Sequence, residues 1–222
     1  MIKRVLVIAA HPDDEVLGAG ATMARLASEG AKVHVAIVTE GCSAQYPGRP
    51  DLVAVKQTQA RAALAILGGH DVHFGGLPDM RLDTVPLIEV NRFLEDIVQA
   101  LAPDVVFTHH AHDLNRDHRV VHEASLVACR SDARRPVRAI YAYDVLGVTN
   151  FGGIAPTFTP NTFFEAEAYA GRKARALEAY DIEVRPFPHP RSREGLDAQG
   201  RVYGVLSGTR WAEAFQVLRD VR

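Results

Sequence analysis

Five short β-branched or aromatic runs, separated by helix-length segments, set the strongest constraint on this chain. The runs are "RVLVIAA" (residues 4–10), "KVHVAIVT" (32–39), "DVHFGGL" (71–77), "DVVFTHH" (104–110) and "AIYAYDV" (139–145), each bounded by Gly, Pro or charged residues. Most are apolar at successive positions, so they read as strands buried on both faces. Between them lie "DEVLGAGATMARLASEG", closed by Gly30, "LVAVKQTQARAALAILGG", closed by Gly68 and Gly69, and "VPLIEVNRFLEDIVQALAP", closed by Pro103. Alternation of this kind predicts an α/β fold in three layers, with helices on both faces of a mostly parallel sheet. A length of 222 residues suits one large core, so residues 1–222 are read as a single domain.

Composition narrows the partner. The formal net charge is only -2 and no long basic block occurs, which argues against nucleic acid or an anionic membrane and leaves a small molecule. Cys42 and Cys129 lie far apart, excluding a disulfide framework or a zinc ribbon and pointing to a reduced, cytoplasmic setting. The apolar start is too short for a signal peptide and ends in acids, and no stretch is long enough to span a bilayer. There is no internal repeat or low-complexity segment. Residues 147–161, rich in Gly, Thr and Pro, predict a long loop or extra hairpin, followed by a helix over "EAEAYAGRKARALEAY". The stretch "RPFPHPRSREGLDAQGRVYG" shows no readable period.

In an open parallel sheet, ligands gather at the carboxyl ends of the strands. There the first run passes into "HPDDE", and a later one passes into "THHAHDLNRDHRVVHEA", which supplies His109, His110, His112, Asp113, Asp117, His118 and His122. Carboxylates packed together repel unless a cation sits among them, so the pattern calls for a metal. Imidazole and carboxylate suit zinc, and three protein ligands with an open position describe a catalytic site. Spacing offers His11, one of Asp13 and Asp14, and one histidine of the later cluster. The second aspartate is then free to act as general base, on a turn stiffened by Pro12.

"AHPDDE" together with "DLNRDHR" resembles the PIG-L (LmbE-like) family of zinc-dependent de-N-acetylases, and "LPDMRLD", "FTPNTFFE" and "WAEAF" also have counterparts there. The resemblance implies a Rossmann-like hydrolase that removes the acetyl group of an N-acetylglucosamine-containing substrate, releasing acetate and a free amine. It implies His11, Asp14 and His118 as zinc ligands and Asp13 as general base, with Lys56 and Asp79 holding sugar hydroxyls. Nitrogen and oxygen ligands also accept iron, cobalt or manganese. Homo-oligomers are common in the family. Three positions depart from its pattern. Asn115 stands where an oxyanion-stabilising histidine is usual, which leaves the role to the Asn115 amide, His112 or His110. Trp211 replaces a frequent Tyr, and Lys56 replaces a frequent Arg, losing the planar fork.

Other residues carry plainer readings. Glu15 fits the first turn of a helix, where the dipole favours acids. His122 could chelate with His118 as an i, i+4 pair, but the resemblance favours His118 alone. His34, His70 and His73 have no acidic cluster and read as strand or loop histidines. At least one of His109 and His110 reads as structural. Asp113 either orients a histidine or caps a turn, and the polar loop 40–51 is a candidate lid. Competing functions are an amidase acting on a non-sugar or thiol-conjugate amide, a metal-binding homologue without turnover, and a nucleotide-binding module. The last lacks a glycine fingerprint after the first strand.

Overall fold

The computed structural model describes residues 2–130, 137–151 and 156–221. Five parallel strands, β1 (Arg4–Ala9), β2 (Lys32–Thr39), β3 (Asp71–Leu77), β4 (Val105–His109) and β5 (Ala139–Tyr143), make up most of one sheet. β6 (Thr162–Glu165) and β7 (Ala212–Asp220) complete it in the order β3-β2-β1-β4-β5-β7-β6, with β7 antiparallel to both neighbours. The chain runs outward from β1 to β3, then crosses back to β4 and builds the other half. Connections therefore diverge between β1 and β4, opening a crevice at their carboxyl ends.

The helices are α1 (Asp14–Ser28), α2 (Asp51–Leu67), α3 (Leu87–Leu101), α4 (Arg116–Ala128), α5 (Glu167–Glu178) and α6 (Arg193–Ser207). β1 shows why both faces are covered. Its Val5, Val7 and Ala9 join a core with Leu17 of α1, Leu64 of α2 and Leu177 of α5, whereas Leu6 and Ile8 join another with Leu94 of α3 and Val121 of α4. The period-2 alternation of the strand thus feeds two helical layers, as the apolar runs predict.

The carboxyl-terminal third is where pattern and structure part. α6 begins within the stretch that showed no period and runs three residues beyond it. Ser192 caps it by accepting from the Gly195 amide, and a Cβ on Gly200 would stand 1.9 Å from the Trp211 ring, so the helix needs glycine for close approach. That contact removes the very residues that advertise a helix. β7 is similarly disguised, because the buried Glu213 pairs with Lys173 at 2.6 Å and accepts from the Ala21 and Thr22 amides. Of the predicted loop or hairpin over 147–161, residues 152–155 lie outside the described residues. Cys42 and Cys129 are buried and free, and among the described residues no helix is long and apolar enough to cross a membrane.

Candidate metal centre and active site

The turn after β1 is held on three sides. The Ala10 amide donates to His109 Nε2 at 2.9 Å, and the Ala10 carbonyl accepts from both the Thr39 amide and hydroxyl. Gly41 (φ 67°) closes over Pro12, where a Cβ would come within 2.4 Å of Pro12 Cδ. Asp13 then adopts φ 115°, a left-handed conformation costly for a side-chain-bearing residue. Its amide donates to Glu15 Oε2 at 3.1 Å, and its carbonyl receives the Val16 and Leu17 amides that start α1. Through this strained residue adjacent carboxylates diverge: Asp14 folds back on His11, while Asp13 meets Arg191.

His11 Nδ1, Asp14 Oδ2 and His118 Nε2 form a triangle with edges of 3.1, 3.2 and 3.3 Å. A tetrahedron with bonds of about 2.0–2.1 Å has edges of roughly 3.3–3.4 Å, so these three atoms fit three corners of a zinc site. Each imidazole presents its other nitrogen to a carboxylate. His11 Nε2 lies 3.1 Å from Asp117 Oδ2, whose Oδ1 accepts from the Leu82 amide, and His118 Nδ1 lies 3.1 Å from Asp113 Oδ2. Asp113 in turn accepts from the Asn115 amide and the Thr149 hydroxyl. Carboxylates placed behind histidines fix ring orientation and tautomer at metal sites. His11 Nε2 with Asp79 and Asp117 makes a second group with metal-binding spacing. Its shortest contact is the His11–Asp117 pair, which serves the first group as an orienting hydrogen bond.

Electrostatics separate the acids of "HPDDE". Burial pushes Asp14 upward, but His118 and hydrogen bonds from His11 and His118 overcome it and hold Asp14 well below the usual carboxylate range. For Asp13 burial wins, raising it to about 6 against the pull of Arg191, whose Nε stands 2.6 Å from Asp13 Oδ2. Burial also raises Glu15 to about 8, despite the Tyr180 hydroxyl donating to its Oε1 at 2.5 Å. Glu15 is thus a neutral buried group at pH 7 that ties down the Asp13 backbone. His109 is neutral too: burial and the neighbouring His118 push it well below its ordinary value, and its ring stacks on His118 at 3.9 Å.

The remaining sequence candidates are placed as follows. Asp79 is buried, its Oδ1 3.6 Å from His11 Nε2 and its amide donating to Glu40. Lys56 faces the interior of the protein. Its ammonium is buried, 2.7 Å from Glu183 Oε1, and donates to the Gly41 carbonyl. Asn115 caps α4, with Oδ1 accepting from the Asp117 amide at 2.9 Å and Nδ2 resting 3.4 Å from Met80 Sδ. His112 is half-buried, its ring edge-on to His110. His110 Nε2 lies 3.4 Å from the Pro156 carbonyl. His122 donates from Nδ1 to the His109 carbonyl and stays out of the triangle. Sequence reasoning missed Arg191 and Glu183, and it gave Asp117 no role. Arg191 lies in the stretch without a period, two residues before α6, and meets Asp13 from a distant part of the chain, so no local signal marks it. Asp117 was findable, since it directly precedes His118 in an acid-rich cluster.

The family described as PIG-L, GlcNAc-PI de-N-acetylase, matches residues 6–129, which hold the whole triangle. The uncharacterized deacetylase YaiS of Escherichia coli is 38% identical over 134 residues, covering 58% of this chain and 69% of that protein. A probable N-acetyl-alpha-D-glucosaminyl L-malate deacetylase 2 of Bacillus anthracis is 25% identical over 95% of this chain and 92% of its own length. Among solved structures, the conserved protein TT1542 of Thermus thermophilus superposes with a TM-score of 0.79 at 27% identity, covering 100% of this chain and 97% of that one. A Pseudomonas 4-carboxy-2-hydroxymuconate hydratase shares the fold with a TM-score of 0.76 at 20% identity, so the fold by itself does not select a reaction. The matched residues carry the "AHPDDE" and "DLNRDHR" motifs and their side chains converge at one crevice; the chain belongs to the PIG-L family.

Proposed function

We propose that this protein is a zinc-dependent hydrolase that removes the acetyl group from an N-acetylated amino sugar or its conjugate, releasing acetate and a free amine. The observation that carries this reading is the triangle of His11, Asp14 and His118 with a spare carboxylate, Asp13, held beside it in strained backbone. A site that merely stored metal would have no use for that fourth group. His11, Asp14 and His118 would hold zinc, which would supply a Lewis acid for the acetyl carbonyl and for the attacking water.

The side chains do the rest. Asp13 takes a proton from the water as its oxygen bonds to the carbonyl carbon, then returns it to the amide nitrogen as the C–N bond breaks. Its elevation to about 6 makes it a stronger base than a free carboxylate while leaving it ionised at pH 7. Arg191 fixes its orientation through the 2.6 Å ion pair. Asp79 offers an oxygen to a sugar hydroxyl, and Lys56 sets the start of the 40–51 loop through Gly41 and Glu183. The cap bond of Asn115 turns its amide nitrogen outward onto a thioether, a weak acceptor that a developing oxyanion displaces. No step is assigned to His112.

The test is primary-amine release from a panel of N-acetylated amino sugars and simple acetamides, using zinc-loaded protein beside Asp13→Asn. Amine from a sugar with wild type, and none with the variant at equal zinc content, supports the reading. Release from simple acetamides alone transfers the assignment to a non-sugar amidase. Bound zinc without release from any amide overturns hydrolysis.

A further inference from the structure

We propose that His34, His70 and His73 form a second metal site, at the opposite end of the sheet from the first, suited to a late first-row divalent cation such as Cu2+ or Zn2+. The strand register brings them together. β2 and β3 pair in parallel with His34 opposite Asp71 and Ala36 opposite His73, so His34 and His73 sit diagonally on one face. His34 Nδ1 and His73 Nε2 are 3.4 Å apart, close to the roughly 3.3–3.4 Å edge of a tetrahedral nitrogen site. The rings of His34 and His73 are stacked at 5.6 Å, and the His70 ring meets that of His34 edge-on at 4.9 Å.

The His70 backbone is anchored where β3 begins, its amide donating to the Val33 carbonyl at 2.7 Å. Its side chain is exposed, and the proposed site requires it to rotate and bring a nitrogen to the other two. Asp71 and Lys32 are charged groups that act on His34, and Asp71 turns to Arg61 at 3.3 Å. Burial, His70 and His73 hold His34 down to about 4, so its lone pair is available at pH 7. Imidazole ligands without a carboxylate select copper, nickel or zinc over calcium or magnesium. His34 pairs with Leu6 near the amino end of β1, whereas His11 lies beyond its carboxyl end, so the two sites share no ligand.

Chelator-stripped protein is titrated calorimetrically with Cu2+ and with Zn2+ as wild type, His118→Ala and His70→Ala/His73→Ala; the buried His34 is left in place. Wild type should take two equivalents and each variant one. Copper bound to His118→Ala should show imidazole-nitrogen hyperfine structure in its electron paramagnetic resonance spectrum, lost when the double change is added. Circular dichroism checks folding, and His70→Gln/His73→Gln keeps the test alive if the alanine pair unfolds. Wild-type stoichiometry and affinity in a folded double variant, or no metal on His118→Ala, overturn the proposal and leave a histidine–histidine hydrogen bond. Two equivalents on His118→Ala, falling to one with the double change, instead count against the ligand role of His118 and leave this site standing.

Discussion

The two histidine clusters of this sheet use the same side chain to opposite effect. At the carboxyl edge, burial lowers His11, but Asp117 and Asp14 outweigh it and carry the group up to about 10. At the amino edge, burial also lowers His34, and the neighbouring imidazoles lower it further, to about 4. Burial acts in the same direction in both places, so the contrast comes from what stands behind the ring. Carboxylates make an imidazole a cation until a metal replaces its proton. Burial beside other imidazoles keeps it neutral at pH 7.

The comparison can be broken in several ways, of which the largest concerns the carboxylate that has no histidine. Asp13→Asn should cut turnover by about 10³-fold, within the usual range for loss of a general base, while zinc content stays at the wild-type level. A parallel loss of metal would show that Asp13 belongs to the ligand set instead.

Next come the carboxylates behind the rings. Asp117→Asn or Asp113→Asn should weaken metal binding at the triangle by about 10–100-fold in competition with a chelator. Asp71→Asn, whose carboxylate faces Arg61, should leave both metal affinities unchanged. An equal effect of all three would mean that general surface charge, not ring orientation, sets affinity.

A smaller effect is the pH dependence of stability at the amino edge. Unfolded His34 protonates near 6.5, whereas the folded group stays neutral down to about 4. The unfolded state therefore binds more protons between those values, and the contribution of His34 to stability is fully present above pH 6.5 and lost as pH falls toward 4. In urea titrations with chelator present, wild type should lose stability relative to His34→Gln between pH 7.5 and 5. A constant difference between the two would mean that the fold does not keep His34 neutral.

The smallest effect isolates the strained turn at Asp13, on the carboxyl edge. Asp13→Gly and Asp13→Ala both delete the carboxylate, so their difference reports backbone conformation alone. Glycine should be the more stable by about 1 kcal/mol, measured by chemical denaturation. Equal stability would mean that φ near 115° is relaxed in solution.

Much of this architecture was legible in the chain because the signals are local. Strand runs such as residues 4–10 and helices closed by Gly30 or Gly68 keep their hydrophobic period wherever they pack, and the structure departs from them by only a residue or two at the ends. The grouping of His11, Asp14 and His118 was legible through the motifs and the resemblance. α6 was not, because Gly200 serves Trp211 rather than helix propensity, and β7 was not, because Glu213 answers Lys173 on another element.

The sequence by itself determined the layered α/β arrangement and which loops would carry acids and histidines to one crevice, since period and motif spacing are properties of short segments. Only the tertiary structure decided the chemistry of each group there. It brought Arg191 to Asp13, buried Lys56 against Glu183, placed Asp117 behind His11 and gathered His34 with His73. Charge state depends on burial and on neighbours distant in the chain, and those are set by packing rather than by spacing.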